Sequence, residues 1–159
     1  STILDENQKV SQTVHEARKR GVLMDAANAN AHFAFFVAKQ ALKEGFKPDI
    51  ISTDQTINSL YRRPNSYNLL HIMSKYLNMG MTLSEVLTCT TKTPAKWLGL
   101  ESETGEIAAG RPADLAILRF AERPTVFGDY TGVSETANRT LKNVMTIKDG
   151  ILVYRDQEF

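Results

Sequence analysis

Pro48-Asp49-Ile50-Ile51-Ser52-Thr53-Asp54 is a short β-branched run that stops at a carboxylate. Parallel α/β sheets keep their chemistry at the carboxyl ends of their strands, so a buried strand ending on an acid marks Asp54 as the residue to explain. Upstream, Val22, Leu23 and Met24 supply a second strand, which runs out at Asp25-Ala26-Ala27-Asn28 into a loop of small residues. Between the two, Phe33, Phe36, Val37, Ala41 and Leu42 recur at helical spacing, with Asn30 as the expected cap and Gly45 as the stop. A crossover of that length joins parallel neighbours, and the unit is a βαβ.

Working outward, residues 12–19 read as a helix with a basic end and a Gly21 stop. After Asp54 comes a polar loop with Arg62, Arg63 and Pro64, then a helix whose Leu69, Ile72, Met73, Tyr76 and Leu77 share one face, closed by Gly80. Thr82 and Glu85 form a capping box, and Thr93 with Pro94 is expected to open a further turn ended by Gly99. Beyond Glu101 the pattern changes. Residues 115–120 and 141–147 read as strands, and Asp149-Gly150 as a two-residue hairpin turn leading into Ile151. The expected boundary lies at residues 99–105, dividing an α/β part (1–100) from a β part (101–159).

The chain has 159 residues, 42% hydrophobic and 23% charged, the composition of a globular protein with a core. A formal net charge of +1 with interspersed signs offers no basic face for nucleic acid. No apolar run reaches the roughly 20 residues that cross a bilayer, and no secretory leader is visible, so the expectation is a cytoplasmic protein that meets neither nucleic acid nor membrane. Cys89 is the single cysteine, which excludes an internal disulfide and a thiolate cluster.

Three stretches carry a family likeness. Gly105-Glu106-Ile107-Ala108-Ala109-Gly110-Arg111-Pro112-Ala113-Asp114-Leu115 resembles the G-x-(I/L)-x-x-G-x-x-A-D-(L/I) signature near the end of amidohydrolase-superfamily enzymes. Residues 91–100 resemble the T-x-x-P-A-x-x-L-G-L helix that precedes it, and residues 48–54 are similar to the strand-eight segment of the dihydroorotase-like branch, which includes deacetylases. The likeness implies the carboxyl-terminal part of a TIM-like (β/α)8 barrel, strands seven and eight with their helices, followed by part of a small β-sandwich. A whole barrel takes about 250 residues, more than this chain holds.

The resemblance also implies a reaction: hydrolysis of an amide, cyclic amide or ester by attack of metal-bound hydroxide, at a divalent ion for which zinc is expected. Asp54 matches the strand-eight ligand, which in the family also accepts the proton of the attacking water. The family's remaining ligands, a His-x-His pair, a bridging Lys or Glu and two further His, have no counterparts here, since His15, His32 and His71 lack ligand spacing. Where many relatives read D-x-G-H-G, this chain has Asp25-Ala26-Ala27-Asn28-Ala29, so Asn28 is expected to contact a small-molecule substrate but not to shuttle protons. His32, read mainly as a residue that packs at the helix start, is the alternative shuttle. Arg62 and Arg63 could clamp an anionic substrate group as a bidentate fork. Trp97, with Leu98, is expected in the core beneath the barrel or at the domain junction, and His71 on the helix surface.

Two classes of function follow. In one, the chain is the carboxyl-terminal part of a metal-dependent amidohydrolase, inactive in isolation because most metal ligands are absent. In the other it is a noncatalytic module. Either way, an open pair of parallel strands leaves edges and faces that must be covered, by self-association into a homo-oligomer or by a missing amino-terminal half.

Overall fold

The computed structural model describes residues 3–62 and 65–158, with the side chain of Arg62 outside the description. Helix α1 (Gln12–Lys19) starts at Ser11, whose hydroxyl accepts from the Val14 amide, and ends on Arg18 and Lys19 before Gly21 at φ 92°. Strand β1 (Asp25–Ala27), helix α2 (Phe35–Lys43) and strand β2 (Ile50–Ser52) form the βαβ unit, with β1 and β2 parallel in the register Asp25↔Ile50, Ala26↔Ile51, Ala27↔Ser52. A single wide helical turn, Asn58–Arg62, follows β2. Helices α3 (Leu69–Asn78), α4 (Leu83–Thr90) and α5 (Lys92–Trp97) come next. Strands β3 (Leu115–Gly128), β4 (Ser134–Lys148) and β5 (Ile151–Arg155) form an antiparallel sheet in that order.

The first strand starts later than its apolar residues suggest. Asp49 explains this: its carboxylate accepts from the Met24 amide at 2.8 Å and from Arg18 at 3.0 Å, while the Met24 carbonyl accepts from the Asp49 and Ile50 amides. The ladder therefore opens at Asp25, and Val22 and Leu23, with no partner strand, stay exposed. Helix α2 also begins later, just after Ala34, which offers no capping side chain. Its first amide, on Phe35, donates instead to Asp129 Oδ2 at 2.9 Å, a cap delivered from 94 residues away by the β3–β4 turn. Asn30, the expected cap, sits at φ 48° in the preceding loop. Helix α5 begins at Lys92 rather than Pro94, so the proline occupies the first turn, where its missing N–H costs nothing.

The α/β and β-rich parts share one core. Phe33, Phe35, Ile51, Ile72, Met73, Tyr76, Val86, Phe127 and Leu141 pack together, and the Leu141 amide donates to Ser74 Oγ on α3 at 2.8 Å. The signature at residues 105–115 is structural. Gly105, at φ 90°, lies so close to α5 that an added Cβ would sit 2.7 Å from the Ala95 Cβ. Asp114 receives the Asp149 amide at 2.8 Å and Lys148 at 2.7 Å, pinning a hairpin whose Asp149 and Gly150 both have positive φ, as the type I′ turn requires.

Some apolar side chains remain uncovered. Val22, Leu23, Trp97 and Leu98 are exposed along an open cleft of about 1,100 Å³ over the sheet face that carries Asp25, Ile50 and Ser52. Trp97, expected in the core, is 67% exposed. Among the described residues no helix is long and apolar enough to cross a membrane.

Candidate functional site

The two parallel strands end side by side, and the residues just beyond them form the site. Asn28, one residue past β1, is completely buried. Its Nδ2 donates to the Ala26 carbonyl at 2.7 Å and to the Ser52 carbonyl at 3.3 Å, so its amide extends the β1–β2 junction past the last ladder pair, while Oδ1 accepts from Lys75 at 3.3 Å. Asn28 was expected at the substrate; here it is enclosed, with both ends of the amide engaged within the chain.

Asp54 stands two residues beyond β2 at φ 45°, the left-handed region that Asp and Asn tolerate better than other side chains. Strained backbone of this kind persists where the surroundings impose it. The Thr53 carbonyl accepts from Ser66 Oγ at 2.9 Å, and the Gln55 side chain donates to the Ser66 and Tyr67 carbonyls, so both neighbours of Asp54 are tied to the segment before α3. Among the described residues no backbone amide donates to the carboxylate itself. Its side chain is 43% exposed, and Oδ2 lies 3.6 Å from His32 Nε2, on a side chain 59% exposed.

A second carboxylate lies on the open sheet face. Asp25 Oδ2 accepts from Ser52 Oγ at 2.8 Å, and burial pushes its carboxyl group above the usual range, opposed by the Ser52 hydrogen bond and aided by the charge of Asp54.

Behind the strand ends sits Lys75, 1% exposed on α3. Its ammonium donates to Asn28 Oδ1, the Asn65 carbonyl and the Gly128 carbonyl at 3.2–3.3 Å and lies 4.0 Å from the centre of the Phe33 ring. Burial lowers its pKa to about 8, with Asp129 opposing. His71, one turn earlier, is not a surface residue: it is wedged between Tyr67 and Phe127, ring centres 4.9 and 4.7 Å away, and its Nε2 is buried without a hydrogen-bond partner. Burial, and then the nearby Lys75 charge, lower its pKa from 6.5 to about 4. The folded chain thus refuses a proton that the unfolded chain accepts between pH 6.5 and 4, and stability falls as pH drops through that window. His71→Gln is expected to flatten this acid slope, read as the difference in urea midpoint between the two proteins from pH 4 to 7.

The structure brings Asp54 and His32 together beyond the carboxyl end of the β1–β2 pair, leaves Asp25 at the start of β1 on the open sheet face, and keeps Asn28 buried. Arg63 lies outside the described residues, as does the side chain of Arg62. Sequence reasoning passed over Lys75 because it sits at the edge of the apolar stripe of α3, beside Ile72, where a lysine ordinarily reaches water. Asp54 and His32 are hard oxygen and imidazole donors of the kind divalent ions take, and both are open. Among the described residues no three His, Cys, Asp or Glu side chains gather into a metal-binding group.

Comparison with known proteins agrees with this architecture. The sequence model of the amidohydrolase family matches residues 2–152. A deacetylase from Enterococcus faecalis is 31% identical over 149 residues, which cover 93% of this chain and 40% of that protein. The crystal structure of an adenine deaminase superposes with a TM-score of 0.89 at 30% identity, covering 97% of this chain and 41% of the other. A dihydroorotase structure shares the fold, with a TM-score of 0.79 at 23% identity over 92% of this chain and 39% of the other. The chain therefore spans about two-fifths of the length of these proteins.

Proposed function

The chain belongs to the amidohydrolase family, and we propose that it supplies the metal-facing carboxylate, Asp54, of a hydrolase that cleaves an amide, cyclic amide or ester bond in a small molecule. The observation that carries this reading is Asp54 itself: a half-exposed carboxylate at the carboxyl end of a parallel strand, held at positive φ and, among the described residues, accepting no backbone hydrogen bond, while the chain on both sides of it is tied down. In this reading β1 and β2 are strands seven and eight of a (β/α)8 barrel, and β3–β5 are part of a small β-sandwich. The likeness to a deacetylase supports an acyl substrate.

Asp54, with His32 beside it, would help hold a divalent metal, zinc being the expected ion, and such an ion polarises the scissile carbonyl and acidifies attacking water. Asp54 Oδ2 then accepts the proton released as water adds to the carbonyl carbon, and returns it to the leaving nitrogen or oxygen as the bond to that atom breaks. Ser52 holds Asp25 on the open face, where it can accept a hydrogen bond from substrate. Arg62 and Arg63 remain candidates for an anionic group of the substrate.

A second reading, a noncatalytic module that self-associates, is favoured by the exposed Val22, Leu23, Trp97 and Leu98 over an unpaired sheet. One experiment separates the two: zinc content and hydrolysis of acyl amides, measured for the chain alone and for the chain joined to an amino-terminal barrel segment. The hydrolase reading expects about one tightly held ion and turnover only in the joined protein. A joined protein that folds but holds no metal and cleaves nothing leaves the module reading.

A further inference from the structure

We propose that Lys75 is the positioning residue that holds the segment carrying Asp54, locking both strand ends and the β-rich part to one buried ammonium. An ammonium has three N–H donors, and Lys75 finds three oxygens on three separate segments: Asn28 Oδ1 after β1, the Asn65 carbonyl before α3 and the Gly128 carbonyl at the end of β3. Two of these contacts lead directly to the site. Through Asn28 the ammonium fixes the amide that grips the Ser52 carbonyl, two residues before Asp54. Through Asn65 it fixes a residue whose Nδ2 donates to the Asn30 carbonyl at 3.1 Å, and whose neighbour Ser66 holds the Thr53 carbonyl, immediately before Asp54. The ring of Phe33, next to His32, lies against the same ammonium. Asp54 and His32 thus belong to loops whose anchors meet at Lys75. Asp129 is not the direct partner: its carboxylate is occupied by the amides of Phe35, Thr131 and Val133 and the Thr131 hydroxyl.

The functional meaning of this link rests on the reading of Asp54 as the working carboxylate, but the link itself can be tested without any activity. Amide hydrogen exchange of the full chain is compared for wild type, Lys75→Met, Asn28→Ala and the core control Val144→Ala, each referred to its own global stability in urea. Residues 52–55 and 28–32 are expected to exchange at least about tenfold faster in Lys75→Met than the loss of global stability accounts for, whereas Val144→Ala shows no such excess. Asn28→Ala, which leaves Lys75 two of its three oxygens, keeps the test decisive where Lys75→Met does not fold; it is expected to loosen residues 52–55 while residues 128–133 stay protected. Exchange at residues 52–55 that merely tracks global stability in both variants would overturn the proposal, and would leave the case for Asp54 untouched.

Discussion

Asp54→Asn, in the joined protein with a full set of metal ligands, is expected to lower kcat/KM for amide hydrolysis by about a hundredfold to ten-thousandfold, or about 2.7–5.4 kcal/mol of transition-state stabilisation. Asparagine is the informative replacement. Asp54 sits at φ 45°, and Asn accepts left-handed backbone as readily as Asp, so the substitution leaves the turn intact and changes the chemistry alone. An amide oxygen is neutral and a poor proton acceptor, so both proposed duties of the carboxylate, binding the cation and accepting a proton from water, are lost together. Metal content measured beside turnover divides the two. A variant that keeps its ion but not its rate has lost the proton acceptor; one that loses both has lost the ligand. Turnover within about threefold of wild type would remove Asp54 from the mechanism.

Lys75→Met is expected to cost about 3 kcal/mol of folding stability at pH 7, read from urea unfolding. Methionine fills most of the volume of lysine but donates nothing, and three oxygens in a site 1% exposed lose their shared donor, each unpaired polar group costing about 1–3 kcal/mol. Relief of the buried charge returns part of that sum. The charge leaves its own signature. Burial lowers the Lys75 pKa from 10.5 to about 8, so between those values the unfolded chain holds a proton that the folded chain has released. The Lys75 contribution to stability therefore rises with pH across the window, by up to about 1.4 kcal/mol per pH unit, and Lys75→Met lacks that contribution. Tyr76 and Cys89, both pushed upward by burial, are present in both proteins, so the comparison is made on the difference curve. Equal stability of the two proteins at pH 7 would contradict the role given to this ammonium.

What the sequence made legible was local. The Thr82–Glu85 capping box and the Asp149–Gly150 turn satisfy backbone groups within a few residues of themselves, and both appear where their spacing puts them. The parallel β1–β2 pair and its crossover helix were legible from a change of hydrophobic period. The start of β1 was not, because the Asp49 carboxylate that sets the register lies 25 residues away. The cap of α2 comes from Asp129, beyond the reach of any rule that looks three or four residues ahead. At the site, Asp54 was marked by its place after a strand. The approach of His32 to Asp54 was not legible, since a loop of small residues does not disclose where its side chains turn. Lys75 went unread because a lysine beside an apolar stripe ordinarily reaches water, and only the convergence of three distant carbonyl groups keeps this one inside.

The decisive measurement is the position of the ion in the joined, metal-loaded protein, by diffraction at the metal absorption edge. Coordination by an Asp54 carboxylate oxygen at about 2.0–2.2 Å is the expected result. An ion held entirely by other side chains, with Asp54 turned to solvent and out of bonding distance, would contradict it.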